Sequence, residues 1–322
     1  MDHRILYLTR DEVSSIGPSM PEIIELLGQT FLEKAAGRVE MPTKTGIHTR
    51  DDALLHAMPA HVPGLRCAGV KWVGAYPGNP ERGLPQVTGL IITNDPETGL
   101  PVSVLDCTWI TAVRTAAASA LAAKHLARKD SKILGILGCG VQGRSHLEAF
   151  AHAFPIAEVR IYDVDPAAVA SFVEASARLD ASVVPVECPR AAVEGCDIVV
   201  TAGPITKPPH ATIPRDWLSE GGFAASVDFG SYWSLEAMEQ LDALITDDVE
   251  QFAYYNALGY INYLPEDVVD LSELVTGKHP GRRSDGERTM ACNLGIAAED
   301  MAVASVVVAR AKAAGIGTRL PL

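Results

Sequence analysis

The run GCGVQG, Gly138 to Gly143, follows the short apolar run KILGIL (132–137) and opens a helical pattern at Val141. In that setting GxGxxG is a phosphate-binding fingerprint. Gly138 permits a tight turn, Gly140 lets backbone approach a pyrophosphate, and Gly143 lets helix and strand pack closely. The free amides of the helix start, around Val141 and Gln142, offer hydrogen bonds and a positive dipole to phosphate. Asp163 closes the next apolar run, VRIYD, twenty residues after Gly143 (163 − 143 = 20). An acid there accepts hydrogen bonds from the adenosine ribose and repels a 2′-phosphate. No Arg or Lys follows in VDPAAV, so the expected cofactor is NAD(H) and not NADP(H). Asp165 is either a competing ribose contact or the cap of a helix beginning at Pro166. Thr201, in DIVVTA, joins the candidate cofactor contacts.

Three cations stand out next. Lys71 sits in AGVKWVG, a strand otherwise apolar. A buried lysine without a partner is costly, so it is either paired or functional. Arg114 sits in ITAVRTAAASA, surrounded by small residues. It is either a solvent-facing arginine at a helix start or a bidentate clamp for a carboxylate. Lys44, in MPTKTGIH, reads on its own as a solvated loop lysine. One carboxylate has a marked position too. Asp228, in SVDFGSYW, follows the apolar residues Phe223, Ala224, Ala225 and Val227, where a buried strand should end. It is either a catalytic acid or a carboxylate that hydrogen-bonds the turn or the nicotinamide ribose.

These residues need elements to hold them. A helix is expected over 20–37, with Pro21 in its first turn and Ile23, Leu26, Leu27 and Phe31 on one face. Short strands follow at 53–57, 67–73, 89–93 and 102–105, separated by turns such as YPGNP and NDPETG. That pattern predicts an antiparallel or mixed sheet. A helix over 108–126 leads to a polar break at Lys129-Asp130-Ser131. Beyond it, strand and helix alternate, with strands at 132–137, 159–163, 181–186, 197–202, 223–229 and 243–248. Such alternation predicts a parallel sheet covered on both faces. A nearly continuous apolar helix over 293–314 closes the chain. The fold class is therefore α/β: a Rossmann-type doubly wound parallel sheet plus a second α+β domain.

Bulk properties bound the function. The 322 residues carry a formal net charge of −13, which argues against nucleic acid as a partner. Six scattered cysteines form no CxxC pair and neighbour no histidine at ligand spacing, so neither a metal nor a disulfide framework is expected. Buried thiols in a reducing cytoplasm fit this usage. The N-terminal MDHRILYLTRDE contains no apolar run of signal-peptide type. The Ala-rich stretch 110–127 contains Arg114, Lys124 and His125 and so is not a membrane span.

With these residues in view, the chain resembles the ornithine cyclodeaminase/μ-crystallin family. The resemblance runs over nearly its whole length. It rests on MPTKTG, HAMPAH, VKWV around Lys71, DPETGLPVSVLDCTWITAVRTAAASALAAKHLA, ILGCGVQGRSHLEAF and LGIAAEDMAVA. It implies a homodimer, with residues 129–300 binding NAD(P)H and residues 1–128 with 301–322 dimerising and holding the substrate. It also implies that Arg114 grips a substrate carboxylate and that Lys71 lies near the carboxylate and the reacting nitrogen. Lys44 stands where many members have a carboxylate-binding arginine, so it matches by charge only, and a lysine lacks the bidentate fork. His56, in the HAMPAH segment, is either a neighbour of the site or a core histidine. Cyclodeaminases of the family carry an aspartate where this chain has Gly230, with Asp228 two residues early, about 6–7 Å along a strand. The resemblance therefore implies an NAD-dependent oxidoreductase of a small imino or amino acid, such as a cyclic ketimine or iminosuccinate. Two other readings stay open: an ornithine-type cyclodeaminase with tightly bound NAD, and a non-catalytic NADH-binding protein.

Overall fold

The computed structural model describes residues 4–322. They divide into two compact units. The first runs to Arg114 and resumes over Gly295–Leu322; the second is Thr115–Leu294. The family resemblance implies divisions at 128/129 and 300/301, at a polar break and within the closing apolar segment. The structure divides the chain inside one long helix and just before another. Neither point carries a composition change.

The first unit is built on strands β1 (Arg4–Leu8), β2 (Thr45–Arg50), β3 (Ala53–Val62), β4 (Cys67–Ala75), β5 (Val87–Asn94) and β6 (Pro101–Asp106). With the C-terminal strand Thr318–Pro321 they form one sheet, in the order C-terminal strand, β1, β6, β5, β4, β3, β2. The β1–β6 pair is parallel and the others are antiparallel, so the sheet is mixed, as the turn signals predict. Helices α1 (Arg10–Ile16) and α2 (Met20–Ala35) follow β1. A capping box starts α2: Glu22 accepts the Ser19 amide at 2.7 Å and the Ser19 hydroxyl at 2.8 Å. Its buried residues Ile23, Ile24, Leu27, Thr30 and Phe31 recur at helical spacing.

Helix α3 (Thr108–Leu126) carries the chain from the first unit into the second. The second unit holds β7 (Ile133–Leu137), β8 (Glu158–Tyr162), β9 (Ser182–Pro185), β10 (Ile198–Thr201), β11 (Phe223–Ser226), β12 (Ala243–Thr246), β13 (Val269–Asp270) and β14 (Thr289–Cys292). Every pairing is parallel, in the order β9-β8-β7-β10-β11-β14-β12-β13. The interleaved helices are α4 (Val141–Ala153), α5 (Pro166–Ala175), α6 (Leu235–Met238), α7 (Val249–Ala257) and α8 (Leu271–Val275). The winding direction reverses between β7 and β10. In such sheets ligands bind at the carboxyl ends of the strands flanking that reversal. Helix α9 (Ala297–Ala314) returns the chain to the first unit and packs on β3, β4 and β5. No helix among the described residues is long and apolar enough to cross a membrane.

Candidate functional site

In the second unit the GCGVQG turn joins β7 to α4, at the winding reversal. Gly138 has φ +104, and a Cβ there would lie 2.7 Å from the Ala202 carbonyl. A Cβ on Gly143 would lie 2.1 Å from the Gly138 oxygen, so helix and turn touch only because the residue is glycine. A Cβ on Gly140, the N-cap of α4, would meet nothing within 4 Å. The backbone is thus open on the side from which a pyrophosphate must approach. Val141 is exposed beside it, and the buried Gln142 Oε1 has no hydrogen-bond partner. Asp163 Oδ2 accepts the Cys139 N–H at 2.7 Å, which ties the acid to the glycine turn. Asp165 takes the capping role: its side chain accepts the Ala167 N–H at 2.9 Å at the start of α5.

Farther along the same strand ends, Asn293 follows β14 at 3% exposure, and neither atom of its amide is hydrogen-bonded. Buried polar groups are almost always satisfied, so an unpartnered amide at the carboxyl edge of a parallel sheet marks a place for a polar ligand. An open Gly140, an acid at the end of β8 and unpartnered donors and acceptors at the strand ends together fit NAD(H).

Thr201, the last residue of β10, is fully buried, and its hydroxyl accepts the Trp233 indole N–H at 3.2 Å. Strand β11 ends at Ser226, so Asp228 lies in the turn beyond it and not in the strand. Its side chain is fully buried. Its Oδ1 accepts the Ser226 hydroxyl at 2.7 Å and the Gly230 N–H at 3.2 Å. The turn is tightly wound: Phe229 has φ +58 and Gly230 φ +78. A non-glycine residue in that region persists only where its surroundings hold it, and Asp228 supplies that hold. Burial pushes the Asp228 carboxyl up to about 7, against the hydrogen bonds from Ser226, Thr201 and Gly230.

In the first unit, β4 alternates its faces. Cys67, Lys71 and Val73 point inward at 5%, 1% and 9% exposure, while Trp72 between them is 41% exposed. The alternation that makes the strand thus buries the lysine. Its Nζ pairs with Asp300 Oδ2 at 2.6 Å and lies 3.5 Å from the Thr111 hydroxyl. Arg114 is buried with its neighbours Val113, Thr115 and Ala116, so the solvent-facing alternative does not hold. Its Nε donates to Asp300 Oδ1 at 3.1 Å and its Nη1 to Glu299 Oε2 at 3.0 Å. Gly295, at φ +79, makes room: a Cβ there would lie 2.3 Å from Arg114 Nη1. Burial holds Lys71 below the usual lysine range; Asp300 opposes that and Arg114 adds to it. Lys44 is also buried, so it is not a solvated loop lysine. Burial pushes His56 down to about 4, and the charges of Lys44, His48 and Lys71 add to that.

The structure therefore gathers Lys71 and Arg114 in one cluster with two acids that are not among the candidates read from the sequence. Glu299 and Asp300 open α9 and are both fully buried. Their signal was present in LGIAAEDMAVA: two adjacent carboxylates in an otherwise apolar helix must find cations. Among the described residues no group of three or more His, Cys, Asp or Glu could hold a metal ion.

The model of the ornithine cyclodeaminase/mu-crystallin family matches residues 6–315. The chain is 37% identical over 331 residues to an alanine dehydrogenase of Archaeoglobus fulgidus, covering 98% of each. A solved structure of Thermococcus litoralis Δ1-pyrroline-2-carboxylate reductase in complex with NADH and L-proline matches with a TM-score of 0.90 at 32% identity. That match covers 98% of this chain and 100% of the other. An archaeal alanine dehydrogenase dimer with bound NAD matches with a TM-score of 0.89 at 34% identity, covering 99% of this chain and 100% of the other.

Proposed function

The chain belongs to the ornithine cyclodeaminase/mu-crystallin family, and from that membership and the geometry above we propose that it is an NAD(H)-dependent oxidoreductase. It reduces a small imino acid, cyclic or acyclic, to the amino acid, or runs the reverse reaction. The observation that carries this reading is the buried Lys71–Arg114 pair, at 1% and 5% exposure, in a chain that also holds a dinucleotide turn. The relatives named above support it: an alanine dehydrogenase, a Δ1-pyrroline-2-carboxylate reductase in complex with NADH and L-proline, and an alanine dehydrogenase dimer with bound NAD.

Each residue has a role in this reading. Arg114 grips the substrate carboxylate, and Lys44 adds a second positive charge. Lys71 is the proton source. NADH, when bound, would supply the hydride for the imine carbon. As the C=N π pair moves onto nitrogen, Lys71 Nζ gives up a proton to it and is left as a neutral amine. Burial, which lowers the lysine's affinity for its proton, eases that step. Gly140 and the amides of Val141 and Gln142 face the pyrophosphate, and Asp163 the adenosine ribose. Thr201 and Asp228 stay on the cofactor side, where Asp228 holds the Phe229–Gly230 turn.

The absence of a carboxylate at Gly230 supports a reductase over a cyclodeaminase. Cyclodeamination must also expel ammonia and close a ring, and so asks more of an acid near the amine. The outward face of the first sheet supports a homodimer. There Ile47, Trp72 and Leu90 are 57%, 41% and 42% exposed, and Trp72 is the cross-strand partner of Leu90. Six unpaired cysteines support a cytoplasmic location. The test is NADH oxidation across a panel of cyclic imines and of 2-oxo acids with ammonia or methylamine. Turnover that survives Lys71→Ala or Arg114→Ala unchanged would overturn the assignment.

A further inference from the structure

We propose that Asp300 is a positioning residue for this chemistry: its two carboxylate oxygens set the spacing of Lys71 and Arg114 and keep Lys71 protonated. The inference rests on the reading above. One oxygen, Oδ2, lies 2.6 Å from Lys71 Nζ, and the other, Oδ1, 3.1 Å from Arg114 Nε. Its chain neighbour Glu299 takes Arg114 Nη1 at 3.0 Å. Two consecutive residues at the start of α9 thus lock a side chain from β4 and another from α3.

Stability alone does not explain such a cluster. Buried ion pairs can often be replaced by apolar residues of similar volume at no loss of stability. Four charges kept in an interior, two of each sign, make sense when two of them are needed for something else. Lys71 in particular needs help to stay charged. The groups facing it are Asp300 from α9, Arg114 and Thr111 from α3, Cys107 from the turn before α3, and His56 from β3. Burial pushes the Cys107 thiol up to about 11 and His56 down to about 4, so both are neutral at working pH. Arg114 opposes a second positive charge. Asp300 is the anion in this set that bonds Lys71, while Glu299 bonds Arg114.

Asp300→Asn keeps the shape and removes the charge. Lys71 is read directly by NMR of 13Cε-labelled lysine, its resonance identified by its loss in Lys71→Met. Asp300→Asn should lower the Lys71 titration by roughly one pH unit or more, whereas Glu299→Gln should leave it nearly unmoved. The alkaline limb of kcat/KM for pyrroline-2-carboxylate should fall with it, and KM should rise about tenfold as the two cations lose their common anchor. Asp300→Glu should recover part of both effects. A reduced melting temperature with an unmoved Lys71 titration would make the residue merely structural and overturn the inference. If Asp300→Asn fails to fold, the wild-type titration decides: a Lys71 already neutral at pH 7 would overturn it. The NMR readout needs no turnover, so the inference stands or falls separately from the proposed activity.

Discussion

Gly295→Ala is a sharp probe of the cation cluster because its cost can be worked from geometry. The residue lies at φ +79, where an L side chain costs about 1–2 kcal/mol. The added Cβ would lie 2.3 Å from Arg114 Nη1, 2.7 Å from Nη2 and 2.9 Å from Cζ. The guanidinium must retreat by roughly 1 Å to reach ordinary contact. An arginine tip usually retreats cheaply. This one is held by Glu299 at 3.0 Å and Asp300 at 3.1 Å, and weakening a charge-assisted bond costs about 1.5–3 kcal/mol. The expected loss is therefore about 2.5–5 kcal/mol of unfolding free energy, measured by urea denaturation. The expected catalytic effect is a rise in KM for the imino acid of about tenfold or more as the carboxylate clamp is displaced. A variant that loses stability yet keeps the wild-type KM would refute Arg114 as the clamp.

The glycine turn yields a contrasting pair. Gly140→Ala meets open space and should keep its melting temperature while weakening NADH binding. Gly143→Ala drives a Cβ to 2.1 Å from a backbone oxygen and should lose stability as well; fluorescence titration with NADH and thermal unfolding separate the two. Asp163→Ser should narrow the preference for NADH over NADPH, read as the ratio of their kcat/KM values, and should weaken NADH binding in absolute terms because the Cys139 amide loses its acceptor. Asp228 makes stability depend on pH. Its folded-state pKa, about 7, lies above the ordinary 3.8, so the folded protein binds the extra proton and stability falls as pH rises through that window. Asp228→Asn cannot ionise and should gain on wild type across the window by up to about 1.4 kcal/mol per pH unit, levelling off above it. Urea unfolding curves at a series of pH values test this, and a constant difference between the two proteins would show that the carboxyl stays ionised.

Much of this was legible in the sequence because it rests on local rules. The glycine turn needs its spacing and its flanking strand and helix, and all of these lie within thirty residues. The Asp165 cap and the helix over 108–126 were likewise written in neighbouring residues. What escaped was non-local. Strand Thr289–Cys292 is four residues long and enters the parallel sheet between β11 and β12, far from both in sequence. Nothing in TMAC distinguishes it from a loop. Strand β3 reaches Val62 although HAMPAH contains Pro59, because its pairing with β4 continues through that residue. The acid partners of Lys71 and Arg114 lie 229 and 186 residues away along the chain (300 − 71 and 300 − 114). Spacing rules cannot reach that far; only the demand that buried charge be paired points to Glu299 and Asp300. Asp228 shows the opposite limit. Its position at a strand end was readable, but its complete burial and its hold on the Phe229–Gly230 turn depend on three-dimensional packing.

Imine reduction is tested most directly by NADH consumption set against amino acid formed, with pyrroline-2-carboxylate and with 2-oxo acids plus ammonia, alongside ammonia release from ornithine. One NADH should be oxidised per amino acid made on at least one imino substrate, with that turnover abolished by Lys71→Met and no ammonia released from ornithine. Ammonia release from ornithine with no net change in NADH would contradict it.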